Sequence, residues 1–174
     1  METDSRNEAA LRDFDEARQS FQHTLEGAPE GALTYLKPGD DYAVGGLVFH
    51  VNVVLENYLQ VMQGVMASGG KEVRLPDPSA DFDEAHARAR AGVGPGELGP
   101  ALSRTASLHS QVRTLAASVA PSEWEREATV WVGGNEPYPA SPADVLTWLT
   151  DHYREHVPHA QELLREWEAG SRTR

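Results

Sequence analysis

The chain has 174 residues, enough for one domain, residues 1–174, with a sizeable core. Its 27 Asp and Glu outweigh 15 Lys and Arg, and the net charge of −12 argues against nucleic acid or an anionic membrane surface as a partner. The absence of cysteine removes disulfides, thiolate-bound zinc and a protein thiol nucleophile, so any thiol chemistry needs an external thiol.

The first six residues are charged and carry no apolar run, so no signal peptide is expected. The most apolar stretch, residues 44–66, includes His50, Asn52, Glu56, Asn57, Gln60 and Gln63 and is too polar to span a bilayer. The expected compartment is the cytoplasm.

A first helix is predicted over residues 4–26. Leu11, Phe14, Arg18, Phe21 and Leu25 follow helical spacing, the Arg18 stem covers the stripe's edge, and Gly27 and Pro29 end it. His23, near its C-terminal end, reads as a surface residue complementing the helix dipole. Residues 28–42 form a connection with a Pro38-Gly39 turn, and Asp40 and Asp41 then precede the next helix, where carboxylates favour the N-terminal dipole. That second helix, residues 43–67, is apolar on most sides, so it is central or faces a second subunit; on this ground a homodimer is expected. His50 lies on its buried-looking face with Asn57 two turns on. Alone, it reads as a hydrogen-bonded core residue.

Residues 68–80 read as a Gly- and Pro-rich loop and residues 81–91 as a short helix. Asp83 and His86 form a possible carboxylate–imidazole pair on this polar segment, where a surface role is the simpler reading. The run Gly92-Val93-Gly94-Pro95-Gly96 lacks the lysine and preceding strand of a phosphate loop and reads as a hinge. A third long helix covers residues 97–119, with Leu98, Leu102, Leu108, Val112, Leu115 and Val119 inward and His109 in a structural role. Residues 128–140 are irregular. Thr129-Val130-Trp131-Val132 has β character but no clear partner strand, and Trp131 and Tyr138 either line a pocket mouth or cover the core.

The last helix carries the chemistry. Ser141 suits the N-cap, Pro142 the first helical position and Asp144 the positive first turn. Its core stripe is Val145, Leu149, His152, His156, His159 and Leu163, so three histidines fall where Leu or Val would be expected. His152 and His156, four apart, can point at one atom, and a divalent metal is the simplest partner for such a pair in a bundle core. Beside such a pair, His50 becomes a candidate ligand as well. His156 with His159 is a rival pair, and matching the ends of antiparallel second and fourth helices favours it. Pro158, between the two, removes a backbone donor and should bend the helix. Four long helices without a convincing sheet make the expected fold all-α, a helix bundle; no Glu-x-x-His is present for a ferritin-like di-iron centre.

The residues Tyr35-Leu36-Lys37-Pro38-Gly39, then Tyr42-Ala43-Val44 and His50, and finally the run from Leu149 through His152 to His156, resemble the DinB-like (YfiT-like) superfamily over roughly residues 10–168. That group includes the bundle domain of mycothiol-dependent maleylpyruvate isomerases. The resemblance implies a four-helix bundle running up-down-down-up, with a long link between helices two and three. It implies one divalent metal held by His50, His152 and His156, homodimers in many members, and use of low-molecular-weight thiols by characterised ones. Tyr42-Ala43 departs from the Trp-Ser that the family often has there, and Pro158 is a second departure.

Three imidazoles leave at least one metal position open to water or substrate. Zinc or nickel suits them best, with iron or manganese as alternatives. Three functions fit: a transferase or isomerase using a small external thiol, a hydrolase with a metal-bound water, or a non-enzymatic dimeric bundle whose metal or histidine cluster is structural. Asn57 is a candidate to orient His50, whereas Asp151 and Glu155 point off the metal face. The expected partners are a small molecule or thiol and a second copy of the chain, with no nucleic acid and no membrane.

Overall fold

The computed structural model describes residues 2–94 and 96–171, with side chains from Arg6 onward. Pro95 of the predicted hinge lies outside the described residues, as do Met1 and residues 172–174. The order is α1 (Glu2–Glu26), a 3-10 turn (Glu30–Ala32), α2 (Leu47–Ser68), β1 (Glu72–Leu75), α3 (Ser79–Ala91), α4 (Leu98–Ala117), β2 (Ala128–Val132), β3 (Tyr138–Ala140) and α5 (Pro142–Ser171).

The apolar stripe of α1 faces inward: Leu11, Phe14, Ala17, Phe21 and Leu25 are all buried, three or four residues apart. They pack against α5 and α4, and the rings of Phe14 and Phe21 each lie 5.7 Å from that of Tyr153. Along this seam Asp13 meets Arg154 at 3.5 Å, and Gly31 lies beside Trp167. On the other side, α2 packs against α4 and α5. Asn52 Nδ2 donates to the Ala101 carbonyl at 3.2 Å, and Tyr58 meets Trp148 at 5.7 Å between ring centroids.

The second helix begins at Leu47, four residues later than its apolar run suggests. Tertiary hydrogen bonds hold the preceding residues in a different conformation: Ala43 N–H donates to the Ala89 carbonyl, Val44 N–H to that of Tyr35, and Gly45 N–H to that of Leu33. Asp40 and Asp41 therefore do not sit at the helix's start, where the sequence pattern puts them. Residues 47–55 are buried without interruption. Their cover comes from the same chain, with α4, α5, α3, β1 and β2 all in contact with α2. That stretch of the helix is thus covered within the chain.

The expectation of an all-α chain is corrected by a three-stranded sheet in the order β1-β2-β3. β1 lies in the predicted loop and pairs in parallel with β2, Val73 opposite Val130; β2 pairs antiparallel with β3, Ala128 opposite Ala140. The β-rich segment around Val130 does have a partner, but it is distant in sequence and only four residues long. Val73, Ala128, Val130, Val132 and Ala140 are buried, and Trp131 Nε1 donates to Glu72 Oε1 at 2.7 Å with Arg74 over its ring. The sheet caps the C-terminal end of α2, which Gly69 closes in a left-handed conformation (φ 60°).

α3 is longer by two residues than predicted and docks on α2 through Ala85 and Ala89. That approach needs glycine at position 46: an added Cβ would lie 1.8 Å from the Ala89 carbonyl oxygen. α5 opens with a reciprocal cap, Asp144 N–H donating to Ser141 Oγ at 3.2 Å and Ser141 N–H to Asp144 Oδ2 at 2.9 Å. The helix then continues to Ser171 with Pro158 inside it. Pro158 is exposed, so the backbone acceptor it deprives, the Arg154 carbonyl one turn back, belongs to a residue that also faces solvent.

Candidate metal centre

The seven histidines separate by partner. His23 is exposed near the end of α1. His109 is buried, stacked on Phe14 at 3.9 Å, with Nε2 2.9 Å from Asp15 Oδ1. His159 is half-buried, with Nε2 2.9 Å from Asp40 Oδ2. His50, His152 and His156 differ from these. His50 Nδ1, His152 Nε2 and both nitrogens of His156 are buried without a hydrogen-bond partner.

The three meet because α2 brings its first turns beside the middle of α5, where the four-residue spacing stacks two imidazoles on one face. Ring centroids are 4.9 Å apart for His50 and His152, 5.0 Å for His50 and His156, and 4.5 Å for His152 and His156. One ring nitrogen from each falls within 4.8 Å of the others. An ion bound at ~2.1 Å holds two nitrogens at most ~4.2 Å apart, so small side-chain rotations would close the set. Orphaned nitrogens in a buried site cost free energy, and a cation would satisfy one on each ring. The donor set therefore fits a divalent ion of the borderline first-row type.

Electrostatics prepare the same state. Burial, followed by the neighbouring imidazoles, pushes both His50 and His156 down to about 3. Burial also lowers His152, against a weaker opposing pull from Glu155. All three are neutral at physiological pH, the form that can ligate a metal. None of the three is a carboxylate, so an ion there would keep its full charge and favour an anionic ligand.

Around the triad the rings of Tyr42, His86 and His159 form an outer layer. Tyr42 stacks on His50 at 4.6 Å and meets His156 edge-on at 6.0 Å. His86 comes within 5.6 Å of His50. It is half-buried, which corrects the surface role read from its polar segment: α3 turns this residue toward α2, and Asp83, the other half of the possible pair, is exposed. Among the described residues no hydrogen bond joins Asn57 to His50, so Asn57, the candidate for orienting it, has no such bond to act through. Asp151 and Glu155 are exposed, off the triad's face. Trp131 and Tyr138 belong to the sheet at the other end of α2 and do not line the site; Tyr138 packs on Trp148 instead.

Sequence reasoning missed Asp40, whose acid–base pairing with His159 joins a connection to a helix far along the chain. It also missed the part played by Tyr42. The only local signal for either was position: both lie in the segment leading into α2.

Two helices of a bundle that face each other through unpartnered imidazoles define a class, a helical-bundle protein with a histidine set at its core that could hold a metal ion. The model of the DinB superfamily matches residues 13–160, and the chain belongs to that superfamily. Among solved structures it is similar to YfiT from Bacillus subtilis, described as a probable metal-dependent hydrolase with an unusual four-helix bundle topology. The TM-score is 0.67 at 14% identity, covering 94% of this chain and 89% of that one, a likeness of fold. A search of curated proteins finds no match. Among the described residues no helix is long and apolar enough to cross a membrane.

Proposed function

We propose that this protein is a metal-dependent enzyme in which His50, His152 and His156 hold one divalent ion, and that its nucleophile is a small external thiol. The observation that carries the reading is the set of buried imidazole nitrogens on two helices, converging on one point with no partner in the protein. An ion held there would supply a Lewis-acid centre that acidifies a thiol or a water brought to it. The chain's own part is to present three neutral imidazoles, to exclude bulk water through α3 and Tyr42, and to leave any thiolate to come from outside, since the chain has no cysteine.

A second reading, metal-dependent hydrolysis, is favoured by the Asp40–His159 pair. Its imidazole lies 5.9 Å from His156 and is hydrogen-bonded to a carboxylate, an arrangement suited to taking a proton from water. The description of the fold neighbour YfiT is in keeping with it. We also read the whole chain as one domain, with α1, α2, α4 and α5 running up-down-down-up. Support comes from the matched contacts: Asp13 of α1 with Arg154 of α5, and Gly31 of the 3-10 turn after α1 with Trp167 further along α5, run in the same direction, whereas His50 with His156 and Tyr58 with Trp148 between α2 and α5 run in opposite directions.

The test is elemental analysis after dialysis against each candidate ion, then single Ala variants in competition titrations. About one ion per chain is expected; less than about a tenth of an equivalent for every ion overturns the reading. His152→Ala and His156→Ala should lose most affinity and His159→Ala little. Thiol-transfer and ester-hydrolysis screens with and without chelator then separate the two activities.

A further inference from the structure

Metal-ligating histidines are normally oriented by hydrogen bonds from their second ring nitrogen to a carboxylate, carbonyl or water, and losing such a partner typically costs ~10–100-fold in metal affinity. Here, among the described residues, none of the three imidazoles makes a hydrogen bond to the protein. His50 Nδ1 and both His156 nitrogens are buried and unpartnered. The protein contacts these rings do make are with other aromatic side chains.

Tyr42 is placed to do so. Its ring stacks on His50 of α2 at 4.6 Å and 30°, and stands edge-on to His156 of α5 at 6.0 Å and 89°. One side chain thus touches a ligand from each of the two helices that build the site. It also meets His86 of α3 at 5.9 Å and His159 at 6.0 Å, so four imidazoles surround it. Stacked and edge-to-face contacts of this kind are favourable beyond burial and limit how far the imidazoles can turn.

Tyr42 is itself held. Its N–H donates to Asp40 Oδ1 at 3.1 Å, and the other oxygen of that carboxylate is bound to His159 on α5. The next residue, Ala43, is fixed through its N–H to the Ala89 carbonyl at the end of α3. The segment that presents the ring is therefore tied to α3 and α5, and the ring in turn bridges α2 and α5.

We propose that Tyr42 is the positioning residue of the metal centre, its aromatic ring standing where the hydrogen-bonded partners of the ligands usually stand. The inference rests on the reading of His50, His152 and His156 as metal ligands. It assigns the work to the ring and none to the hydroxyl.

The experiment titrates cobalt(II) into the full-length protein and reads both affinity and the visible absorption spectrum for wild type, Tyr42→Phe, Tyr42→Leu and His156→Ala. Circular dichroism confirms that each is folded; Tyr42→Met takes the place of the Leu variant if that one is not. Tyr42→Phe should bind within about threefold of wild type with the same spectrum. Tyr42→Leu should lose ~10–100-fold with altered bands, a change that a loss of stability alone would not produce in a folded protein. Wild-type affinity and spectrum in Tyr42→Leu overturn the proposal. So does an equal loss in Tyr42→Phe, which would assign the effect to the hydroxyl. If His156→Ala binds cobalt as wild type does, the triad reading fails first and the proposal falls with it.

Discussion

Gly46→Ala tests the packing that places α3 against the site. The added Cβ would lie 1.8 Å from the Ala89 carbonyl oxygen, 2.6 Å from its carbon and 2.7 Å from its Cα. All three are backbone atoms, so no side chain can swing away, and the end of α3 has to retreat by roughly 1 Å or more, which is the overpacking regime of ~1–3 kcal/mol. The same carbonyl accepts the N–H of Ala43 at 2.9 Å, and Ala43 is fully buried. Pulling the acceptor away leaves that donor unsatisfied at a further ~1–3 kcal/mol. The sum is about 4 kcal/mol at its centre, and at ~2–4 °C per kcal/mol for a chain of this size Tm should fall by ~8–16 °C. The assay is thermal unfolding followed by far-UV circular dichroism, with Gly99→Ala as the control. Gly99 lies in α4, and a Cβ added there would meet nothing within 4 Å, so the same substitution should raise stability by ~0.4–1 kcal/mol. A Gly46→Ala protein that melts at or above the wild-type temperature would refute the close approach of α2 and α3.

Ser141→Ala removes the reciprocal cap of α5 and should cost ~1 kcal/mol, a fall of ~2–4 °C in Tm; no change would mean the cap is dispensable. A pH effect should come from buried His109 on α4 and its half-buried partner Asp15 on α1. Burial holds His109 below its ordinary 6.5, although its hydrogen bond to Asp15 pulls the other way. Burial acts to raise Asp15, but bonds from Arg113 and His109 outweigh it and leave its carboxyl below the ordinary 3.8. Both folded values are depressed, so the unfolded chain binds protons first and stability falls with pH, below 6.5 for His109 and below 3.8 for Asp15. Between about pH 7.5 and about pH 5, the urea midpoint of the metal-free wild type should drop more than that of His109→Phe; parallel curves would remove His109 as a contributor.

Much of the site is written in local pattern. The four-residue spacing of His152 and His156 on an apolar stripe needs only the helical repeat to put two imidazoles on one face. The cap at Ser141 and Asp144 and the buried stripe of α1 follow from the same short-range rules. Those rules make the role of His50 depend on its neighbours, and they keep His159 as a rival because spacing alone places it on the same stripe. They cannot say which of the imidazoles finds a carboxylate. Only the folded chain brings Asp40 to His159 and leaves the other three without partners.

The remaining features depend on pairs distant in sequence. β1 is four residues in a Gly- and Pro-rich stretch, with no periodicity of its own, and becomes a strand only because β2 lies beside it. His86 and Tyr42 sit in segments that read as surface and connection; docking through Gly46 and Ala89 turns them toward His50. Composition and periodicity thus determined a helical chain without thiols and with an imidazole pair inside it, because those properties are set by residue type and by the helix repeat. Tertiary packing decided which histidines stay unpartnered and what surrounds them, because hydrogen-bond satisfaction and ring contact are properties of neighbours in space.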